Sequence, residues 1–425
     1  MASMSRFLTL VMASNVIMLS QVSRLAQADT LTLEGALSQA ISSNPAIAAE
    51  ADQAKAEHRA VRSSYALDNP KFGLMREQNM NYMEEQMGPM NLWSVSQTFK
   101  FPTKYYLSGE IQSTKAHAAD IQLSAKKLEI RQKVISAYYN LFAVNRINEL
   151  LKAQRATLDE IARSAESRHA TGLVPQQDEM KAHMEQTKID GDIITIQDEL
   201  TTAQASLNAL MNRPASEPVV LPKTELGIPK IKVPFSEIAK LAVHHSRKIQ
   251  NSQNLAEAAN EEKILAGWEY APDFTLNYAQ AYGRDLPNAY SFGVDVSIPL
   301  WFFEKQTSDY SAAVARSMAA QKQAELDAVT TDSEIASLVS KVTSRQELLD
   351  IYKTSLIPQA TSTLNSSRGA YRAGRTTFLE LLDSERSLYA VRVAYYRTLS
   401  EYVEDLTRLE ETTGASLSAL PMGDL

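Results

Sequence analysis

The 425-residue chain contains no cysteine, so neither disulfides nor a lipid-bearing N-terminal cysteine is expected. Beyond residue 28 no apolar run approaches the roughly 20 residues that a transmembrane helix requires. Lys and Arg form no cluster and the formal charge is −7, which gives no reason to expect a nucleic-acid partner. Catalytic signatures are missing as well: there is no GxSxG, P-loop, HExxH or CxxC. The six histidines (His58, His117, His169, His183, His244, His245) show no ligand-plus-base arrangement. Nothing calls for a cofactor, and the chain is not expected to be an enzyme. Proline is sparse, and five of the 15 prolines crowd into one stretch, 213–234.

What is present begins with an export signal. Arg6 precedes the apolar run FLTLVMASNVIML, and Ala26-Gln27-Ala28 supplies the small-x-small pattern of a signal-peptidase site. Residues 1–28 therefore read as a signal peptide, with the mature chain starting at Asp29. A retained anchor is the alternative, but the run is too short to span a bilayer. An exported chain without cysteine suits the Gram-negative envelope.

Two copies of one plan follow. At an offset of 202 residues LEGALSQAISSNPAI (33–47) overlays FSEIAKLAVHHSRKI (235–249), NPKFGL (69–74) overlays APDFTL (271–276), and Gly172 falls on Gly374. Repeat 1 is placed at 29–213 and repeat 2 at 235–415, joined by a proline-rich connector at 214–234 and followed by a tail at 416–425. Each repeat opens with a shortish helix. Strands are expected at about 70–78 and 92–101, and at 273–282 and 290–300, where residues alternate apolar and polar. YSFGVDVSIPL (290–300) is the clearest case, and Gln97 is the one polar intrusion on the apolar side of WSVSQTFKF (93–101). GRDLPNA (283–289) reads as the loop of the second hairpin. These lengths match tilted membrane strands, with Trp93, Tyr282, Tyr290 and Trp301 near their ends.

Long helices are expected at about 103–171 and 175–212, and at 304–370 and 376–414. Heptad seams run through Ile189, Ile193, Ile196, Leu200, Ala203, Leu207 and Leu210, and through Ile335, Val342, Leu349 and Leu356. Leu388, Val391, Tyr395, Leu399, Tyr402, Leu406 and Leu409 form the returning seam. Pro358 should bend its helix. Four strands cannot close a barrel, and open edges are intolerable in lipid. If these strands are in a membrane, several chains must pool them, and the chain is an obligate oligomer.

The opening LTLEGALSQAISSNPAI, the tandem repeat, and the segments SRHATGLVPQQDEM (167–180) and AYRAGRTTFLELLDSERSLY (370–389) resemble the TolC-like outer-membrane efflux proteins, and VSQTFKFPTK (95–104) leans toward the heavy-metal efflux branch. The resemblance implies a mainly α fold with a membrane β-barrel contribution. Three chains would share a twelve-stranded barrel in outer-membrane lipid, set on a coiled-coil tunnel that extends into the periplasm, with the connector in an equatorial belt. It implies a homotrimer serving a periplasmic adaptor protein and an inner-membrane pump. Adaptor contacts would fall at the tip residues Gly172, Leu173, Val174, Gly374, Arg375 and Thr376. A periplasmic gate would use Asp178 bonded to Tyr371, with Arg375 as the latch cation and acidic rings from Glu380 and Asp383. The family's latch arginine matches Thr376, one residue after Arg375 and near Arg372, so that part of the pattern is displaced. Taken alone, Glu380 and Asp383 read equally well as first-turn acids favouring a helix N-terminus. Carboxylates gathered by threefold symmetry would concentrate cations at the mouth.

Met75, Met80, Met83, Met87 and Met90 lie between the strands of the first hairpin, among Asn, Glu and Gln. They read as outer-loop filler, as soft-metal contacts for Cu(I) or Ag(I) at Met80, Met83, Met87 and Met90, or as a contact for another protein. Met180, His183 and Met184 share a helical face and allow the same metal chemistry, although seam or surface positions account for them more simply. The expected function is a passive exit duct for heavy-metal cations. Alternatives are the same duct for organic toxicants or polypeptides, and an envelope coiled-coil scaffold without a pore.

Overall fold

The computed structural model describes residues 30–421 except 78–89, 173–174, 223, 232 and 284–285. The expected signal peptide at 1–28 lies outside the described residues. Each half opens with two helices rather than one. Helix α1 (Leu33–Ser43) is capped by the Thr32 hydroxyl, which accepts from the Gly35 N–H. Asn44 then ends α1 and caps α2 (Pro45–Ser64), whose first-turn proline needs no donor. The pair α5 (Phe235–His245) and α6 (Arg247–Trp268) breaks in the same way at Ser246, in extended conformation.

Between these pairs come the long hairpins. Strands β1 (Lys71–Glu77) and β2 (Met90–Phe99) lead into α3 (Pro102–Ala170), whose 69 residues extend about 100 Å, and α4 (Gln176–Leu210) returns beside it. In the second half β3 (Asp273–Gly283) and β4 (Leu286–Ser297) lead into α7 (Lys305–Ile351), a π-helical turn (Tyr352–Leu356), α8 (Ile357–Arg372) and α9 (Phe378–Thr413). No helix among the described residues is long and apolar enough to cross a membrane.

The π turn has a register consequence. Buried Ile335 and Val342 of α7 align with buried Val134 and Leu141 of α3 at an offset of 201 residues, whereas buried Leu364 aligns with Ala162, and Gly374 with Gly172, at 202. A π turn accommodates one extra residue in a helix, and it falls between these two sets. The heptad expected to continue through Leu356 stops there, and Leu356 is exposed. Pro358, which lacks a backbone donor, directly follows the π turn within the continuous helical run.

One four-stranded antiparallel sheet runs β1-β2-β3-β4, so β2 pairs with β3 across the two halves and β1 and β4 are free edges. Phe72, Leu74, Trp93, Val95, Phe99, Phe274, Leu276, Tyr278, Tyr290, Phe292, Val294 and Val296 share one face, which includes many exposed apolar residues. Thr98, Thr275, Asn277 and Asp295 lie on the other face, where the Thr98 and Thr275 hydroxyls are 3.0 Å apart and the Asn277 amide donates to Asp295. Gln97 stands opposite Leu276 on the apolar face, and its amide donates to the Asp68 carbonyl at 2.7 Å.

Two strand expectations are corrected. Residues 286–289 belong to β4 rather than to a loop, because Ala281 and Gly283 of β3 give them partners. At the other end β4 stops at Ser297 instead of residue 300, because β3 begins at its partner Asp273. The methionine expectation also changes. Met75 is in β1 and Met90 in β2, so neither is in a loop, while Met80, Met83 and Met87 lie outside the described residues.

The helices bury two cores. One gathers Leu37, Tyr138, Leu207, Val342, Tyr402 and Leu406, and the other, towards the helical tips, gathers Leu151, Leu158, Ile189, Leu364, Leu381 and Leu382. The connector crosses the first core, and the Tyr402 hydroxyl donates to the Pro229 carbonyl at 2.7 Å. The expected tail is a packed segment as far as Pro421: Leu417 and Leu420 are buried in that core.

Candidate functional site: the paired helical tips

Both long hairpins turn at a glycine in the left-handed region, with φ +72° at Gly172 and +70° at Gly374, a conformation that carries little penalty only without a Cβ. At Gly374 the cap is a Schellman motif. The Gly374 N–H donates to the Tyr371 carbonyl at 3.0 Å and the Arg375 N–H to the Ala370 carbonyl at 2.9 Å. The Gly172 N–H donates to the His169 carbonyl at 2.8 Å. Leu173 and Val174 lie outside the described residues. Among the described residues nothing beyond each glycine's own chain neighbours lies within 4 Å of where a Cβ would stand.

Arg168, in the last turn of α3, connects the tips. Its guanidinium carbon lies 4.9 Å from the Tyr371 ring centre and its Nη1 donates to the Tyr371 carbonyl at 3.0 Å. Tyr371 is 6% exposed and its hydroxyl has no hydrogen-bond partner among the described residues. The expected Asp178–Tyr371 bond is therefore not formed within this chain. Asp178 is still close enough to act electrostatically: burial chiefly raises the Tyr371 pKa, the Arg168 guanidinium opposes the rise and the Asp178 carboxylate adds to it. Arg375 is exposed, and its side chain makes no hydrogen bond or ion pair among the described residues. The cation that meets Tyr371 is Arg168, four residues before a tip glycine and inside a motif that pointed elsewhere.

Glu380 closes a capping box. The Thr377 N–H donates to its carboxylate at 3.1 Å while the Glu380 N–H donates to the Thr377 hydroxyl at 3.3 Å. The Thr376 hydroxyl also donates to this carboxylate and is the main cause of its lowered pKa. In this chain Glu380 does what a first-turn acid does, and Asp383 stands exposed one turn further on.

Behind the tips the hairpins are tied by ion pairs. Arg386 of α9 donates through Nε to Glu185 of α4 at 3.0 Å, and Arg397 reaches Glu199 at 3.3 Å. A groove of about 290 Å³ between α3, α8 and α9 contains Gln154, Arg368, Glu385 and Arg392. Burial raises the Glu385 pKa even though Arg368 lies 3.1 Å away. Met180 and Met184 are exposed, which removes the seam reading for them, and the His183 ring lies 3.0 Å from the Gln186 amide oxygen. Among the described residues no group of three His, Cys, Asp or Glu is placed to hold a metal ion.

An apolar-faced sheet with open edges, set on helical hairpins of this length, matches known proteins. The chain is 21% identical to the cobalt-zinc-cadmium resistance protein CzcC of Cupriavidus metallidurans over 396 residues, covering 91% of each. It is 21% identical to the outer membrane protein TolC of Vibrio cholerae, covering 88% of this chain and 89% of TolC. The crystal structure of CusC, described in connection with transmembrane channel formation, has the same fold, with a TM-score of 0.79 at 16% identity, covering 91% of this chain and 93% of CusC. The profile of outer membrane efflux proteins matches residues 36–213 and again 238–415. The chain belongs to the outer membrane efflux protein family.

Proposed function

We propose that this chain is the outer-membrane exit duct of a pump–adaptor complex, exporting Cu- or Ag-type cations from the periplasm. The observation that carries the duct is the sheet: one apolar face, one polar face and two unpaired edges at the head of hairpins about 100 Å long. Three copies would close a twelve-stranded barrel in outer-membrane lipid, and the paired tips at Gly172 and Gly374 would meet the adaptor, which links them to the inner-membrane pump. The metal cargo is supported by the kinship with CzcC and by Met80, Met83, Met87 and Met90 in the first hairpin. Cell-associated copper and silver, measured after sub-lethal challenge in a deletion strain and its complemented form, test this cargo. Excess metal in the deletion strain, relieved by complementation, is expected. Equal metal in both points to organic cargo.

The tips form the gate in this reading, with Asp178, Glu380 and Asp383 lining it and Arg168, rather than Arg375, holding the buried Tyr371 behind them. A cation–π contact with one charge-assisted hydrogen bond amounts to about 2 kcal/mol, which favours the closed arrangement by more than about tenfold. Arg168→Ala is therefore expected to raise single-channel conductance or open probability in a planar bilayer. Tyr371→Phe keeps the ring and loses only a hydroxyl that has no hydrogen-bond partner among the described residues, so it should leave the currents unchanged. The reverse pattern would return the latch to the Tyr371 hydroxyl.

A further inference from the structure

One side of α4 is used by neither core. Ala182, Glu185 and Ile189 are buried on the side that packs against the rest of the chain. At about 100° per residue, Met180, His183 and Met184 fall opposite them. All three are exposed, the methionines at 64% and 61%, although side chains of this kind are ordinarily buried. Their i, i+3 and i+4 spacing makes them neighbours on one surface. Helical side chains lean towards the N-terminus, which brings His183 and Met184 back over the turn that carries Met180.

A chain of bonds that begins in α3 sets the tautomer of His183. Arg155 pairs with Asp159 of its own helix and, at 2.8 Å, with Asp190 of α4. The Asp159 carboxylate accepts the Gln186 amide Nε2–H at 2.6 Å. An ionised carboxylate only accepts, so Gln186 turns its Oε1 to His183, where it lies 3.0 Å from Nδ1. Reversing the amide would set acceptor against acceptor. Nδ1 is therefore the donor, and in the neutral ring the Nε2 lone pair is left free. A histidine whose other ring nitrogen donates to an oxygen in this way is oriented as metal-ligating histidines are.

We infer that Met180, His183 and Met184 form a binding site for a soft monovalent cation, Cu(I) or Ag(I), with the two thioethers and His183 Nε2 as its donors. Neutral sulfur and imidazole donors select these ions, whereas zinc sites are built from imidazole, thiolate and carboxylate. The set thus disfavours the cobalt, zinc and cadmium of the CzcC name. Three rotatable bonds let each methionine bring its sulfur to a shared point. Gln186 is a positioning residue: it touches no metal and acts through the ring of His183. The inference rests on the metal-export reading above and adds a place where the ion binds, within about 12 Å of the start of α4 and so close to the helical tips.

The chain has no cysteine to compete for soft metals. To silence the other methionine cluster, Met80, Met83, Met87 and Met90 are first replaced by leucine. Silver binding to this detergent-solubilised protein is then measured by equilibrium dialysis against silver nitrate in chloride-free buffer. Adding Met180→Leu and Met184→Leu, which conserve volume on an exposed surface, should remove about one silver ion per chain and leave the urea midpoint unchanged. Gln186→Leu should weaken silver binding about tenfold. With methyl-13C methionine, silver should shift two signals that the leucine variants lack, and zinc should leave them in place. Silver binding unchanged by the double substitution, or zinc bound equally tightly, overturns the site. Cells separate the site from the reading beneath it. A wild-type gene that relieves silver excess in the deletion strain, where the doubly substituted gene does not, supports a place on the export route. Equal relief by both overturns that place. No excess in the deletion strain overturns the export reading, and the dialysis result then decides the site alone.

Discussion

Glu410→Ala is expected to destabilise the fold by about 3–5 kcal/mol, the usual consequence of leaving a buried charge without its partner. Arg131 and Glu410 are each 1% exposed, and their side chains meet at 2.8 Å. The other carboxylate oxygen of Glu410 accepts from Leu417 N–H at 3.0 Å, Ser418 N–H at 2.8 Å and the Ser418 hydroxyl at 2.7 Å. Arg131 Nε donates to the Pro421 carbonyl at 3.0 Å. One ion pair thus fastens residues 417–421 onto α3 and α9, and its loss strands a guanidinium that already has one nitrogen, Nη2, without a partner among the described residues. The urea midpoint of the detergent-solubilised protein should fall, and the C-terminal segment should become sensitive to carboxypeptidase. Replacing both residues with methionine should recover much of the loss, since no unpaired charge then remains. A double variant as weak as the single one would show that the carboxylate's bonds to the tail, rather than the charge pair, hold the segment.

Gly414→Ala is expected to cost about 2–5 kcal/mol, combining left-handed backbone strain with overpacking. Gly414 ends α9 at φ +70°, and a Cβ there would stand 2.0 Å from the His245 carbonyl oxygen. That oxygen belongs to the backbone at the close of α5, so no side chain can rotate away. The tip glycines offer the comparison. Gly172→Ala and Gly374→Ala bear the same dihedral strain with no described residue packed within 4 Å of the new methyl, and should cost only about 1–2 kcal/mol each. Urea midpoints for the three variants separate the two contributions. Equal losses would mean that α5 shifts to admit the methyl group.

These predictions fall at places the sequence left blank, for a common reason. Period-two alternation in YSFGVDVS and heptad spacing from Ile189 to Leu207 are local patterns, and the chain forms strands and helices there because each residue's environment repeats at a fixed interval. The signals that ended elements were weaker. Asn44 with Pro45 splits what reads as one helix, and β4 ends where its neighbour ends rather than where its own alternation does. The π turn had no signal in the heptads themselves, which run in phase straight through Leu356. It emerges when the buried positions of the two halves are compared.

Within one chain the contacts at the tips differ from those expected. Tip glycines, the acids that follow them and Tyr371 could be placed by counting from the turns, because a helix cap is a local structure. Which cation reaches Tyr371 depends on how two hairpins about two hundred residues apart lie against each other, and packing brings Arg168 there instead of Arg375. By itself, then, the sequence determined the long helical hairpins, the one-faced strands and the long seams, since each follows from periodicity. Only the tertiary structure decided that Arg168 reaches Tyr371 and that Arg131 and Glu410 bury a charge pair to hold the tail. Those outcomes depend on distances between residues far apart in the chain, which no local pattern encodes.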